Sequence, residues 1–214
     1  MSKKFLPFLS FLLLIPSLAV NILLSQKSDY QGELVVQVVD GDSFFLKNKQ
    51  TIRLFGLDAP ELNSCYGQEA KQKLEELILN KKAILKEPIT DDFNRIVALV
   101  YVDNILINQE LIKSGFALYT AKSSSSPYDP KTAGDYARAN HLGIFSADCY
   151  QPNPPNPDCP IKGNINADKQ RLYFLPNCPQ YNQVIVKKSF GEDYFCTQSD
   201  ARKAGFTKSP TCPN

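Results

Sequence analysis

Asp40, Asp42, Asp58 and Glu61 lie within residues 40–61, with Arg53 between them, and Arg95 follows after the polar stretch Asp91-Asp92-Phe93-Asn94. Each of these carboxylates stands beside a turn signal or a strand end. Carboxylates and carbonyls are the ligands of hard cations. Two planar guanidinium forks can clamp a phosphate. A carboxylate left free of the metal can take a proton from water. Together they make a set suited to phosphodiester hydrolysis. No His or Cys cluster stands in this region, which argues against zinc there. Taken singly, each residue has a plainer explanation. Aspartates favour turns, Asp40-Gly41 is an ordinary hairpin signal, and an arginine in an alternating strand is often just solvated. His141, the only histidine, stands late in a predicted helix and is expected to be structural or exposed.

The elements that must position these groups can be followed along the chain. Residues 33–39, 43–46 and 51–57 have strand composition and are joined by short turns at Asp40-Gly41-Asp42 and Asn48. Pro60 breaks the pattern. Residues 66–79 place Ala70, Leu74, Leu77 and Ile78 on one helical face. Residues 82–86 and 95–102 read as two further strands. Residues 106–114 and 132–142 read as two further helices, with Gly115 and Gly143 at the stop positions. A Ser/Pro loop occupies 123–130. Five strands with three helices predict an α+β domain built on a small, mostly antiparallel OB-type barrel, a fold that binds oligonucleotides across an open face. No internal repeat is present.

The chain has 214 residues and a net charge of +2. Three of its 24 basic and one of its 22 acidic side chains fall in residues 1–30, so the body is neutral. Any nucleic-acid binding must come from a local patch rather than from bulk charge. Residues 1–30 carry Lys3 and Lys4 before an apolar run, Phe5 to Leu24, and Ser17-Leu18-Ala19 offers small residues for cleavage. They are expected to be a signal peptide or a signal anchor. Both place the body outside the cytoplasm, secreted or tethered to the membrane by that segment alone.

Six cysteines agree with export. Cys65 and Cys149 flank the barrel region and are expected to pair, a closure that stabilises by roughly 4 kcal/mol in the loop-entropy picture. Residues 31–150 are expected to form the barrel domain. Residues 151–158, with Asn153-Pro154-Pro155-Asn156-Pro157, form a stiff linker, and residues 159–214 form a small Cys-containing α+β module. Cys159, Cys178, Cys196 and Cys212 allow three pairings or a Cys₄ zinc site. Wide spacing and export favour disulfides, read here as Cys159–Cys212 and Cys178–Cys196. The module's lysines, Lys162 and Lys187 among them, and its aromatics could extend a nucleic-acid surface, although core packing accounts for most of the rings.

Four motifs in order, Asp-Gly-Asp-Ser at 40–43, Arg-Leu-Phe-Gly-Leu-Asp-Ala-Pro-Glu at 53–61, Tyr-Gly-Gln-Glu-Ala at 66–70 and Asp-Asp-Phe-Asn-Arg at 91–95, resemble the staphylococcal (micrococcal) nuclease family over residues 34–148. Residues 107–115 and 137–145 resemble its second and third helices. The resemblance implies an OB-type barrel and a Ca²⁺-dependent endonuclease that cuts DNA and RNA to 3′-phosphates. Carried over by motif, Asp42, Asp58 and the backbone carbonyl of Ala59 would hold Ca²⁺. Glu61 would handle the water, Arg53 and Arg95 would clamp phosphate, and Asp40 and Ser43 would support the ligands from behind. The family usually has tyrosine and glycine where this chain has Phe93 and Asn94. Asn94 can substitute if that turn needs positive φ. The substrate implied is single-stranded or locally open DNA and RNA, with no obligate protein partner and a monomeric chain. Residues 159–164 and 194–196 are similar to small Cys-containing modules appended to some secreted nucleases. The competing readings are a non-catalytic OB module that binds nucleic acid or protein, and an envelope interaction protein whose Cys module does the work. The joint presence of Asp42, Asp58, Glu61, Arg53 and Arg95 favours the nuclease.

Overall fold

The computed structural model describes residues 32–120 and 128–213. The expected export segment at 1–30 and most of the Ser/Pro loop at 123–130 lie outside the described residues. Among the described residues no helix is long and apolar enough to cross a membrane.

The barrel is built from β1 (Glu33–Val38), β2 (Ser43–Leu46), β3 (Thr51–Leu54), a short β4 (Leu57–Asp58), β5 (Lys82–Thr90), β6 (Ile96–Val102) and a short β7 (Ile105–Leu106). The sheet runs β3-β2-β1-β5-β6-β7, and a parallel pairing of β3 with β6 closes β1, β2, β3, β6 and β5 into a five-stranded mixed barrel. Alternation selects what faces in: Ile52 and Leu54 of β3 are buried, whereas Thr51 and Arg53 are not. In β1 a bulge between Val35 and Gln37 lets Val35 and Val38, three apart, both enter the core. Strand β5 runs past the expected end at Lys86. A second bulge between Lys86 and Ile89, spanning Pro88, carries the ladder onward with its outer residues exposed. The apolar pattern therefore stops while the pairing continues.

Three helices pack on the barrel: α1 (Gly67–Ile78), α2 (Ile107–Lys113) and α3 (Pro130–Ala139). Helix α1 buries Ala70, Leu74 and Ile78. Helix α3 ends at Ala139, short of the expected Leu142, because His141 takes the left-handed stop position at φ +54°. His141 thus caps a helix and is exposed. Between α2 and α3, β8 (Leu118–Tyr119) pairs with β4.

The C-terminal residues add β9 (Tyr150–Gln151), β10 (Ile161–Ile165), β11 (Arg171–Phe174), β12 (Val186–Lys187), β13 (Tyr194–Phe195), a helix α4 (Gln198–Lys203) and β14 (Thr207–Lys208). A four-stranded sheet, β13-β10-β11-β14, forms the centre of the module. The module is joined to the barrel side by pairing of β12 with β9 and by the Tyr194 hydroxyl, which donates to the Gln151 carbonyl. Gly32–Asn214 clusters as one compact unit.

All six cysteines are paired. Cys65 bonds Cys149, as expected. The module pairs differently from the expectation: the bonds are Cys159–Cys196 and Cys178–Cys212, not Cys159–Cys212 and Cys178–Cys196. Strand register is the reason. Ile161 lies opposite Phe195 in the β10–β13 ladder, which brings Cys159 to Cys196. Strand β14 lies beside β11, and the Ser209 N–H donates to the Tyr173 carbonyl, which carries Cys212 to the turn holding Cys178. Lys162 also departs from its expected surface role. It is 1 % exposed and its ammonium donates to the carbonyls of Pro152, Tyr181 and Val184. Tyr173 and Phe174 are core residues.

The Cys65–Cys149 bond closes a separation of 84 residues. Replacing both cysteines by serine is expected to lower unfolding stability by roughly 4 kcal/mol in urea titrations of oxidised protein. A change under 1 kcal/mol would mean that the denatured chain does not gain the freedom the loop picture assumes.

Candidate active site

The turn between β1 and β2 begins the site. Asp40 accepts a hydrogen bond from the Asp42 N–H at 3.0 Å, which folds the Asp-Gly-Asp turn on itself. Asp42 is only 4 % exposed. Its Oδ1 accepts from the Ser43 hydroxyl at 2.7 Å and from Arg53 Nη1 at 2.5 Å, and its Oδ2 accepts from the Ala59 N–H at 3.3 Å. Ser43 and Arg53 are register partners across β2 and β3, so an ordinary antiparallel ladder delivers the guanidinium to the aspartate. The other arm of the fork, Nη2, donates to Asp58 Oδ1 at 3.0 Å. One arginine therefore spans both aspartates.

Asp58 reaches this point because the chain reverses tightly at Phe55-Gly56, with Gly56 at φ +72°. Two residues that the sequence reading did not single out hold this reversal. Asn108 of α2 is fully buried, donates to the carbonyls of Phe55 and Ala98, and accepts from the Val100 N–H. The buried Tyr128 hydroxyl donates to the Gly56 carbonyl at 3.2 Å. Burial pushes that phenol up to about 12. A buried asparagine in an apolar helix pattern was the available signal, since a buried amide must find partners.

Gly41 sits where a Cβ would come within 2.7 Å of the Ala59 Cβ and 2.8 Å of the Ala70 Cβ. That glycine lets the aspartate turn, the Asp58–Glu61 segment and α1 meet. A Cβ at Gly67 would lie 1.9 Å from the Glu61 carbonyl oxygen, so the start of α1 backs directly onto the loop that carries Glu61. The Glu61 carbonyl also accepts from the Ser64 N–H. The Glu61 side chain is exposed and has no hydrogen bond to Asp42, Asp58, Arg53 or Arg95.

Arg95 stands immediately before β6. Arg53 pairs with Val97 in the parallel ladder, so Arg95 stands two residues ahead of the register partner of Arg53. Asp91 holds it: the Arg95 N–H donates to Asp91 Oδ1, and Nε and Nη2 contact Oδ2 at 2.9 and 2.8 Å. Burial acts to raise the Asp91 carboxyl, but hydrogen bonds from Arg95 and Phe93 outweigh it and hold it below its ordinary range. Asn94 does adopt positive φ, at +60°. Phe93 is 80 % exposed with the Arg95 guanidinium 5.2 Å above its ring.

The donor set suits a hard cation. It consists of oxygens only, and burial pushes the Asp42 carboxyl from 3.8 up to about 6 despite the Ser43 hydroxyl and the Arg53 charge. An incoming cation would relieve that uncompensated burial. Among the described residues no group of three or more His, Cys, Asp or Glu side chains is placed to hold a metal. Two aspartates with a backbone carbonyl need no third carboxylate.

The raised Asp42 has a measurable consequence in chelator. Between about pH 4 and pH 6 the folded chain retains a proton that the unfolded chain has released, so stability falls as pH rises through that window. Asp42→Asn should flatten that part of the pH–stability curve. An unchanged slope in this variant would assign the effect to other groups.

Residues 51–147 match the family described as Staphylococcal nuclease homologue. The matched residues are similar to that family through most of the barrel and its helices. The chain is 31 % identical over 116 residues to an "Uncharacterized endonuclease" of Haemophilus influenzae, covering 52 % of this chain and 65 % of that protein. It is 29 % identical over 146 residues to a micrococcal nuclease of Shigella flexneri, covering 61 % and 79 %. A probable staphylococcal-like nuclease of rice is 31 % identical over 129 residues, covering 60 % of this chain but only 33 % of the rice protein. The staphylococcal nuclease match ends at residue 147, so the C-terminal module lies beyond it.

Proposed function

We propose that the chain is an exported Ca²⁺-dependent nuclease that hydrolyses phosphodiester bonds of single-stranded or locally open DNA and RNA and leaves 3′-phosphates. The observation that carries the proposal is the Arg53 fork bridging the buried Asp42 and the half-exposed Asp58, with Arg95 two residues ahead of the register partner of Arg53. A pure binding module has no need of two convergent aspartates on one arginine. The match of residues 51–147 to the staphylococcal nuclease family supports the reaction class. Three disulfides support an oxidising compartment.

Asp42, Asp58 and the Ala59 carbonyl would hold the cation. Bound Ca²⁺ would neutralise charge on the phosphate and polarise it. Arg53 turns from its aspartates toward a phosphate oxygen, and Arg95, with its guanidinium anchored by Asp91, meets a second. Glu61 takes a proton from the attacking water as its oxygen bonds to phosphorus and the bond to the 5′ oxygen breaks, and that oxygen leaves as a 5′-hydroxyl after taking a proton from solvent. Its exposed loop gives it access to solvent water. Asp40 fixes the backbone of the turn through the Asp42 N–H, and the Ser43 hydroxyl orients the Asp42 carboxylate.

The deciding experiment is incubation of oxidised protein with single-stranded DNA and RNA, in Ca²⁺ and in chelator. Cleavage to 3′-phosphates in Ca²⁺ alone is the expected result. Equal cleavage in chelator would remove the metal from the reaction. Binding without cleavage would favour a non-catalytic OB module.

A further inference from the structure

The C-terminal module and the barrel side enclose a groove of about 570 Å³, within the usual range for ligand sites. Its walls come from both parts of the unit. Tyr119 and Arg138 stand on the barrel side, Tyr150 follows the Cys149 disulfide, and Gln183, Lys187 and Phe190 come from the module. Arg138 lies 5.0 Å over the Phe145 ring and 5.9 Å over the Tyr150 ring, so aromatic faces hold its guanidinium. Neither Arg138 nor Lys187 has an ion-pair partner among the described residues, and no carboxylate lines the groove. The buried Glu192 accepts from Asn164 and from the N–H groups of Ile165 and Lys187, and it feels the Lys187 charge without forming an ion pair with it.

The groove adjoins the candidate active site at two points. Leu118, which lines it, is the register partner of Asp58, one strand spacing of about 4.8 Å away. The Cys65–Cys149 bond ties the loop that follows Glu61 to the residue before Tyr150. A strand whose phosphate sits on Arg53 and Arg95 would therefore find, beside Asp58, a channel with unpaired cations, aromatic rings and side-chain amides. Those are the components of single-strand binding: cations for phosphates, rings for base faces, amides for base edges.

We propose that this groove is an extended subsite for single-stranded nucleic acid, so that the C-terminal module acts by holding the substrate chain beyond the scissile phosphate. The proposal rests on the nuclease reading of the neighbouring site. It accounts for a module that the catalytic residues do not require. It also explains how a body without net positive charge can hold a polyanion: the two cations are local and unpaired. Charge and continuity with the site favour a polynucleotide over a peptide.

The test is fluorescence anisotropy of the oxidised full chain with labelled 12-nucleotide single-stranded DNA and RNA in chelator, where Ca²⁺-dependent cleavage is silent. Lys187→Glu is expected to weaken binding about 10-fold and to reduce the slope of log Kd against log salt by about one. Gln183→Glu, at an exposed position that cannot unfold the chain, is expected to weaken it several-fold. Lys203→Glu makes the same charge change as Lys187→Glu on α4, outside the groove, and is expected to leave the affinity within twofold. Equal effects of Lys187→Glu and Lys203→Glu, or no effect of either groove variant, would overturn the subsite. Tighter binding of a duplex than of the single strand would overturn it as well. Cleavage of a dinucleotide in Ca²⁺ is read in parallel. It depends on the catalytic residues alone and is expected to be unchanged by Lys203→Glu, outside the groove, so absence of dinucleotide cleavage in wild type marks failure of the nuclease reading and leaves the binding result to judge the groove.

Discussion

Arg53→Lys should lower kcat on single-stranded DNA by about 10²–10³-fold, or ~2.7–4 kcal/mol, the usual loss for one preorganised donor to transition-state charge. The geometry gives the reason. The Arg53 fork touches Asp42 with one nitrogen and Asp58 with the other. A lysine ammonium is a point charge on a flexible stem and cannot span two carboxylates and then present two parallel donors to a phosphate. Because the charge is kept, ground-state binding of DNA should change much less than turnover. The measurement is single-turnover cleavage at saturating Ca²⁺, with Ca²⁺ titrations on the same variant. A kcat within threefold of wild type would reduce Arg53 to an ion-pair partner of the aspartates.

Glu61→Gln should lower turnover by about 10²–10⁴-fold, the range for loss of a positioned general base. Glutamine keeps the size of the side chain and removes its basicity. The backbone at residue 61 is fixed by the Ser64 N–H and by the close approach of Gly67, so the loop should keep its course. Ca²⁺ binding should be largely retained, since Asp42, Asp58 and the Ala59 carbonyl are untouched. Parallel Ca²⁺ titration and cleavage separate the two roles. Normal turnover would take Glu61 out of the mechanism. A large loss of Ca²⁺ affinity would move it into the cation shell.

The reach of the sequence can be judged from particular residues. Asp40, Asp42, Asp58 and Arg53 each had a plain explanation alone, as turn or strand residues, and stood out only together, through motifs that resemble the staphylococcal nuclease family. The five barrel strands and the first two helices appeared where periodicity placed them, because alternation and 3.6-residue periods are short-range patterns. Ends moved where a non-pattern residue decided them: His141 accepted positive φ, and the bulge around Pro88 extended β5. Asn108 and Tyr128 went unnoticed because their importance lies in carbonyls 53 and 72 residues away.

By itself, then, the chain's sequence determined the barrel, the identity and order of the charged groups, and the pairing of Cys65 with Cys149, the two cysteines outside the module. The tertiary structure alone decided that one guanidinium bridges both aspartates, that Lys162 is buried among three carbonyls, and that Cys159 bonds Cys196. It alone placed Arg138 and Lys187 in the lining of one groove. The physical reason is common to all of these. Propensity and periodicity act over a few residues, whereas ladder register, the partner of a buried charge and the choice among three disulfide pairings are set by which distant segments share a core.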